Sequence, residues 1–174
     1  LVCLIYSNIL DAEYAFDDLP NIRDNANIKL SDITIQGLMD AGFKSPCSNR
    51  PIANITFALN YFFHQDNIIG YHAINIIIHL FTGLFLFLLL KATLVIAHES
   101  SLSRLLPENA DLSCMAFSAV LVWLVHPLNT QSVTYIVQRM NSMAAMFFVL
   151  SMLCYVYGRI AEGSLKKYTL FCGS

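Results

Sequence analysis

Charge is scarce in this sequence. Asp, Glu, Lys and Arg make up 13% of 174 residues, about half the usual share of roughly 25% in soluble domains. Blocks of lysine and arginine are missing and the formal net charge is −2, which excludes nucleic acid as an expected partner. The five cysteines, Cys3, Cys47, Cys114, Cys154 and Cys172, are odd in number and show no C-x-x-C or other ligand spacing. No disulfide framework and no metal site are expected from them; Cys114 and Cys154 sit inside apolar runs, where a thiol acts as a small hydrophobe. The first residues lack the basic start and cleavage site of a secretory signal peptide.

What fills the sequence instead is apolar: 56% hydrophobic residues and a mean hydropathy of +0.57. One soluble core does not need several apolar runs of near-membrane length. The expected class is all-α, a polytopic α-helical membrane protein with an extracytoplasmic loop carrying short interfacial helices. Residues 1–10 read as the far end of a first transmembrane helix, with a short buried helix as the alternative. Residues 11–69 read as the loop: Asp11, Glu13, Asp17, Asp18 and Asp24 cluster at its front, and turn formers are scattered through it. Within it Pro51 opens a helix over 51–64. Ile52, Ile55, Leu59 and Phe62 share one face of that helix, which suits the membrane interface.

Transmembrane helices are expected at 70–97, 112–126 and 140–157. The 98–111 connection and the 158–174 tail carry Lys91 and Arg104 at or in the first and Arg159, Lys166 and Lys167 in the second. The positive-inside rule places both in the cytoplasm. The acidic loop and the 127–139 connection then share the opposite face.

The polar residues at membrane depth are the informative ones. His72, Asn75 and His79 follow i, i+3, i+7 and make one stripe on one helix face. Facing lipid, the stripe would be costly, so it should look into the bundle or a cavity. Interhelical hydrogen bonding is the plain use of such residues. Two histidines seven apart lie about 10 Å apart along the axis, too far to share a metal ion. Asp17 and Asp18 form an adjacent carboxylate pair. Such a pair can divide labour between base and orienting group if burial separates their pKa values, although most such pairs are solvated loop acids. Arg139 stands where the last span begins, as a snorkelling anchor or as a fork suited to phosphate.

The run His126-Pro127-Leu128-Asn129-Thr130-Gln131-Ser132-Val133-Thr134-Tyr135-Ile136-Val137-Gln138-Arg139 resembles a signature of a bacterial family of multispanning proteins. In that family a membrane domain precedes tetratricopeptide repeats. Phe16 to Ile22, Asn49-Arg50-Pro51 with Thr56 to Tyr61, and Gly70-Tyr71-His72 with Asn75 and His79 resemble its other blocks, in order. The eukaryotic counterparts are transmembrane O-mannosyltransferases with such repeats, of the GT-C glycosyltransferase class. The chain departs from the pattern at Asn129, where many relatives have His or Gln, and at Gln131, where many have Glu.

The resemblance implies a GT-C-like amino-terminal fragment in the bacterial inner membrane, active on its extracytoplasmic face. It implies transfer of a sugar from a polyprenyl-phosphate donor to a hydroxyl of a protein or glycan acceptor, with no further cofactor named. Asp17 or Asp18 would be the base. Arg139, with Arg50 or His72, would bind the donor phosphate, and Asn75, His79 and His126 would line the cavity. Two other classes stand beside this reading: a non-catalytic membrane anchor for a repeat domain, and a transporter fragment. The latter predicts internal repeats or helices broken at the midplane, and the sequence shows neither.

Overall fold

The computed structural model describes residues 2–7, 12–99 and 111–160. Arg104, Lys166, Lys167, Cys172 and most of the two basic connections lie outside them, as does the junction at 8–11. Among the described residues all regular structure is helical, as the composition required. The seven α-helices are α1 (Val2–Ile5), α2 (Ile35–Lys44), α3 (Pro51–His64), α4 (Ile68–Glu99), α5 (Leu112–Leu124), α6 (Thr130–Thr134) and α7 (Arg139–Ile160). A π-helical turn covers Leu19–Arg23, and 3-10 turns cover Ala26–Ile28, Pro127–Asn129 and Ile136–Gln138.

Two helical stretches are long and apolar enough to cross a membrane, Ile68–His98 and Ile136–Ile160. The 32 residues of α4 extend about 48 Å at 1.5 Å per residue, beyond the ~30 Å of a hydrocarbon core. The run from Leu112 differs from expectation. As α5 it has 13 residues, about 20 Å, and alone it falls short of a span. Joined to Pro127–Thr134 across a 54° bend it is long and apolar enough for a broken span or a re-entrant loop. Pro127 is the reason: it lacks an amide hydrogen and disfavours helical geometry at the preceding His126.

The chain divides into two compact bodies: residues 1–79 with 127–143, and residues 80–126 with 144–174. In the first, Asn25 organises the turn before α2. Its Oδ1 accepts from the Asn27 amide at 3.1 Å, and its Nδ2 donates to the Asn21 carbonyl and to Ser45 Oγ, each at 3.0 Å. Thr34 caps α2 by accepting the Gly37 amide. Helix α2 lies against α3, where Asn54 Nδ2 donates to the carbonyls of Gly42 and Cys47. Pro51 occupies the first turn of α3, where its missing donor costs nothing.

The buried face of α3 is Ala53, Asn54, Phe57, Ala58 and Asn60, while Ile52 is 58% exposed. The remaining apolar positions of its predicted interfacial face, Ile55, Leu59 and Phe62, are half-buried. Gln65, at φ 53°, closes the helix. The next turn brings Gly70 so near α3 that a Cβ there would lie 2.6 Å from His64 Cγ.

In the second body, Gly83 of α4 meets Leu124 of α5. A Cβ at 83 would come within 2.7 Å of a leucine methyl. Phe87 and Phe117 pack edge to face nearby in sequence along the same two helices. Asp111 caps α5, accepting the amides of Ser113 and Cys114.

Candidate functional site

Arg139 is completely buried and its guanidinium is the hub of the first body. Nε donates to Asn75 Oδ1 at 2.9 Å, and one terminal nitrogen donates to Asn60 Oδ1 at 2.8 Å and to the Tyr71 carbonyl at 3.0 Å. The other reaches the Thr56 carbonyl at 3.4 Å. The rings of Phe57 and Tyr71 flank it at 4.4 and 5.7 Å, a cation–π arrangement that helps to offset lost hydration. These acceptors come from α3 and α4 and are all neutral. The guanidinium therefore joins three helices and presents no open fork to a phosphate, unlike the expectation for this residue.

Asn75 extends the hub. Its Nδ2 lies within 3.3–3.5 Å of the carbonyls of Val133, Tyr135 and Ile136. These contacts hold the irregular run between α6 and α7, whose carbonyls a regular helix would have used internally. Val133 and Ile136 from that run are fully buried.

The rest of the polar stripe is also covered by protein. His72 is buried, and its Nε2 donates to the Ala12 carbonyl at 3.1 Å. Its Nδ1, an acceptor in that tautomer, has no hydrogen-bond partner among the described residues. His79 is buried, with Tyr6 edge-on at 5.9 Å.

The structure separates the two neighbouring acids. Asp18 is 1% exposed, and its carboxylate accepts the Val137 amide at 2.7 Å and the Ala15 amide at 3.1 Å. Burial pushes its pKa up, against the opposing pull of those amides and of nearby His72. Asp17 is exposed, and its carboxylate has no hydrogen bond to the described residues, while its amide donates to the Tyr135 phenol oxygen at 2.9 Å. The preceding Phe16 has φ 43° and is 84% exposed. A bulky side chain in that region costs about 1–3 kcal/mol and persists only where surrounding contacts fix it. After this turn Asp17 faces outward and Asp18 faces inward.

Arg50 is half-buried and donates to the Asn141 side chain, which in turn donates to Gln138. His126 is exposed and belongs to the second body. Asp17, Asp18, Arg50, His72, Asn75, His79 and Arg139 all belong to the first. Among the described residues no three His, Cys, Asp or Glu side chains are grouped so as to hold a metal ion.

Asn60, Tyr71, Phe57 and Tyr135 were not singled out from sequence as site residues. Asn60 had a legible signal, a carboxamide in a largely apolar helix that carries Asn54 as well. Tyr71 acts partly through its backbone carbonyl, and Tyr135 meets Asp17 across 118 positions, so neither leaves a local pattern.

Among the described residues, two to three apolar helices of spanning length define an integral, polytopic α-helical membrane protein. Among curated proteins the chain is similar to Protein O-mannosyl-transferase F38B6.6 of Caenorhabditis elegans, 30% identical over 161 residues, covering 88% of this chain and 21% of that protein. It is likewise similar to Protein O-mannosyl-transferase TMTC2 of Homo sapiens, 30% identical over 181 aligned residues, covering 98% of this chain and 19% of that protein. Protein O-mannosyl-transferase TMTC1 of Homo sapiens is 31% identical over 161 residues, covering 88% and 17%. The chain is thus distantly homologous to these O-mannosyltransferases over most of its own length, and it spans about a fifth of theirs. No family model matches the chain, and no solved structure matches it.

Proposed function

We propose that this chain is the acid-bearing part of a membrane glycosyltransferase that moves a sugar, by analogy mannose, from a polyprenyl-phosphate carrier to an acceptor hydroxyl. The active face is extracytoplasmic, on the plasma membrane in the bacterial setting that the sequence blocks imply, and the acceptor is a protein or glycan. Similarity to named O-mannosyltransferases supports the class of reaction. The observation that carries the assignment of roles is the split between the two acids, one buried on two backbone amides and one open to solvent.

In this reading Asp17 is the general base. Its carboxylate takes the proton of the acceptor hydroxyl, the oxygen attacks the anomeric carbon, and the bond from that carbon to the phosphate oxygen breaks. The phosphate leaves with the electron pair and the anomeric centre inverts. Arg50, a half-buried cation, meets the phosphate in this reading, with His72 as the second donor. Arg139 shapes the site as scaffold. Base catalysis of this kind supplies about 10²–10⁴ in rate, and stabilisation of the leaving phosphate supplies more.

The test compares Asp17→Asn and Asp18→Asn in the full-length protein, following transfer of labelled mannose from polyprenyl-phosphate mannose. Asp17→Asn should lose about 10² or more in turnover with an unchanged melting temperature. Parental transfer by Asp17→Asn would remove the base. A parent inactive with every lipid-linked sugar would leave the membrane-anchor reading in its place.

A further inference from the structure

We propose that Tyr135 is a positioning residue that fixes the outward posture of Asp17; its consequence for turnover rests on the transferase reading above. The turn Phe16–Asp18 touches the Tyr135–Val137 run at two points that lie two residues apart. The Asp17 amide donates to the Tyr135 phenol oxygen at 2.9 Å, and Asp18 accepts the Val137 amide at 2.7 Å. Two contacts fix an orientation, whereas one contact leaves a pivot.

The turn needs such fixing because it contains Phe16 at φ 43°, a geometry that survives only when its surroundings over-determine it. The run that does the holding is itself held. Asn75 reaches the carbonyls of Val133, Tyr135 and Ile136, and Arg139 holds Asn75 in turn. A continuous path therefore leads from the buried guanidinium through Asn75 and Tyr135 to the exposed carboxylate. Its last link is the phenol oxygen. That oxygen accepts from a backbone amide, so any side chain at position 17 would be held the same way, and the variant Asp17→Asn leaves the clamp intact.

Tyr135→Phe removes the oxygen and keeps the ring, while the Asp18–Val137 contact remains. Hydrogen exchange on the full-length protein in nanodiscs reads the clamp directly. The peptide covering residues 12–19 should exchange about tenfold faster in Tyr135→Phe, with peptides of α4 and α7 unchanged. In the transfer assay kcat should fall by about tenfold to 10²-fold, the cost of a misplaced reacting group. KM for polyprenyl-phosphate mannose and the pH profile should stay as in the parent, since the base itself is kept. A loss of stability alone would instead move melting temperature and the exchange of α4 and α7 together.

Unchanged exchange at 12–19 overturns the proposal, and so does faster exchange with parental kcat. If the parent transfers no sugar, the transferase reading fails by itself. Exchange then decides the clamp: acceleration keeps Tyr135 as the residue that positions the turn, and its absence removes that role.

Discussion

The two bodies of this chain solve the same problem by different means. Nine of the ten buried polar or charged residues among those described belong to the first body, and Thr82 alone falls in the second. The first is held by hydrogen bonds with named partners: Arg139 to α3 and α4, Asn75 to the run before α7, Asn54 to the end of α2, Asp18 to Val137. The second buries Leu89, Ala92, Ala116, Val120, Leu124 and Leu153 and brings Gly83 of α4 close against Leu124 of α5. Between helices in lipid the hydrophobic effect contributes little, so association relies on close packing and on polar contacts. The buried set of the first body is rich in the second resource, and that of the second body is mostly apolar. A hydrogen-bonded body admits few arrangements, as a site requires, whereas an apolar one tolerates repacking.

The sharpest way to break the contrast is at its hub. Arg139→Lys keeps the charge, but an ammonium cannot serve Asn75, Asn60 and the Tyr71 and Thr56 carbonyls together. With three donors for four acceptors, at least one buried acceptor loses its donor, at about 1–3 kcal/mol. The melting temperature in detergent should fall further than for any other single change considered, and a near-parental melt would show that the hub is dispensable.

Asp18→Asn comes next. It sets an amide group against the Ala15 or Val137 amide and should cost about 1–3 kcal/mol, seen as a lower melt, whereas Asp17→Asn should leave the melt alone. Equal stability of the two variants would erase the division between the acids.

In the apolar body, Gly83→Val pushes a branched side chain into Leu124 and should cost up to about 1–3 kcal/mol. Adding Leu124→Ala should restore part of the loss in a double-mutant cycle. Additive losses would mean that the two residues do not meet.

The smallest effect is a pH slope. Burial raises the Asp18 pKa above the ordinary 3.8, so the folded state holds this proton more tightly than the unfolded one. Its contribution to stability is present below the unfolded value and is lost as pH rises through the raised folded value. The parental melt should therefore fall as pH climbs just above 3.8, and Asp18→Asn should remove that part of the slope.

How much of this was legible follows from how local each feature is. Apolar runs of spanning length mark α4 and α7, and Pro51 marks the start of α3, because these are properties of short stretches of chain. The three-residue and seven-residue spacing of His72, Asn75 and His79 placed them on one face in the same way. On α3, Ile52 of the predicted interfacial face is exposed while Asn54 and Asn60 are buried, since in a membrane protein the covered face is the one whose polar groups need partners. The bend at Pro127 was written in the sequence, yet the apolar run on its own concealed it.

The sequence by itself determined that the chain is helical, rich in membrane-crossing apolar helices, and marked by a few polar residues too costly to face lipid. It could not say which of two adjacent acids turns inward, or that an arginine at the end of an apolar run would be sealed among α3 and α4. Those outcomes depend on groups separated by 64 to 119 positions finding one another. Hydrogen bonding at short range decides such pairings, and only the folded chain brings donor and acceptor within 3 Å.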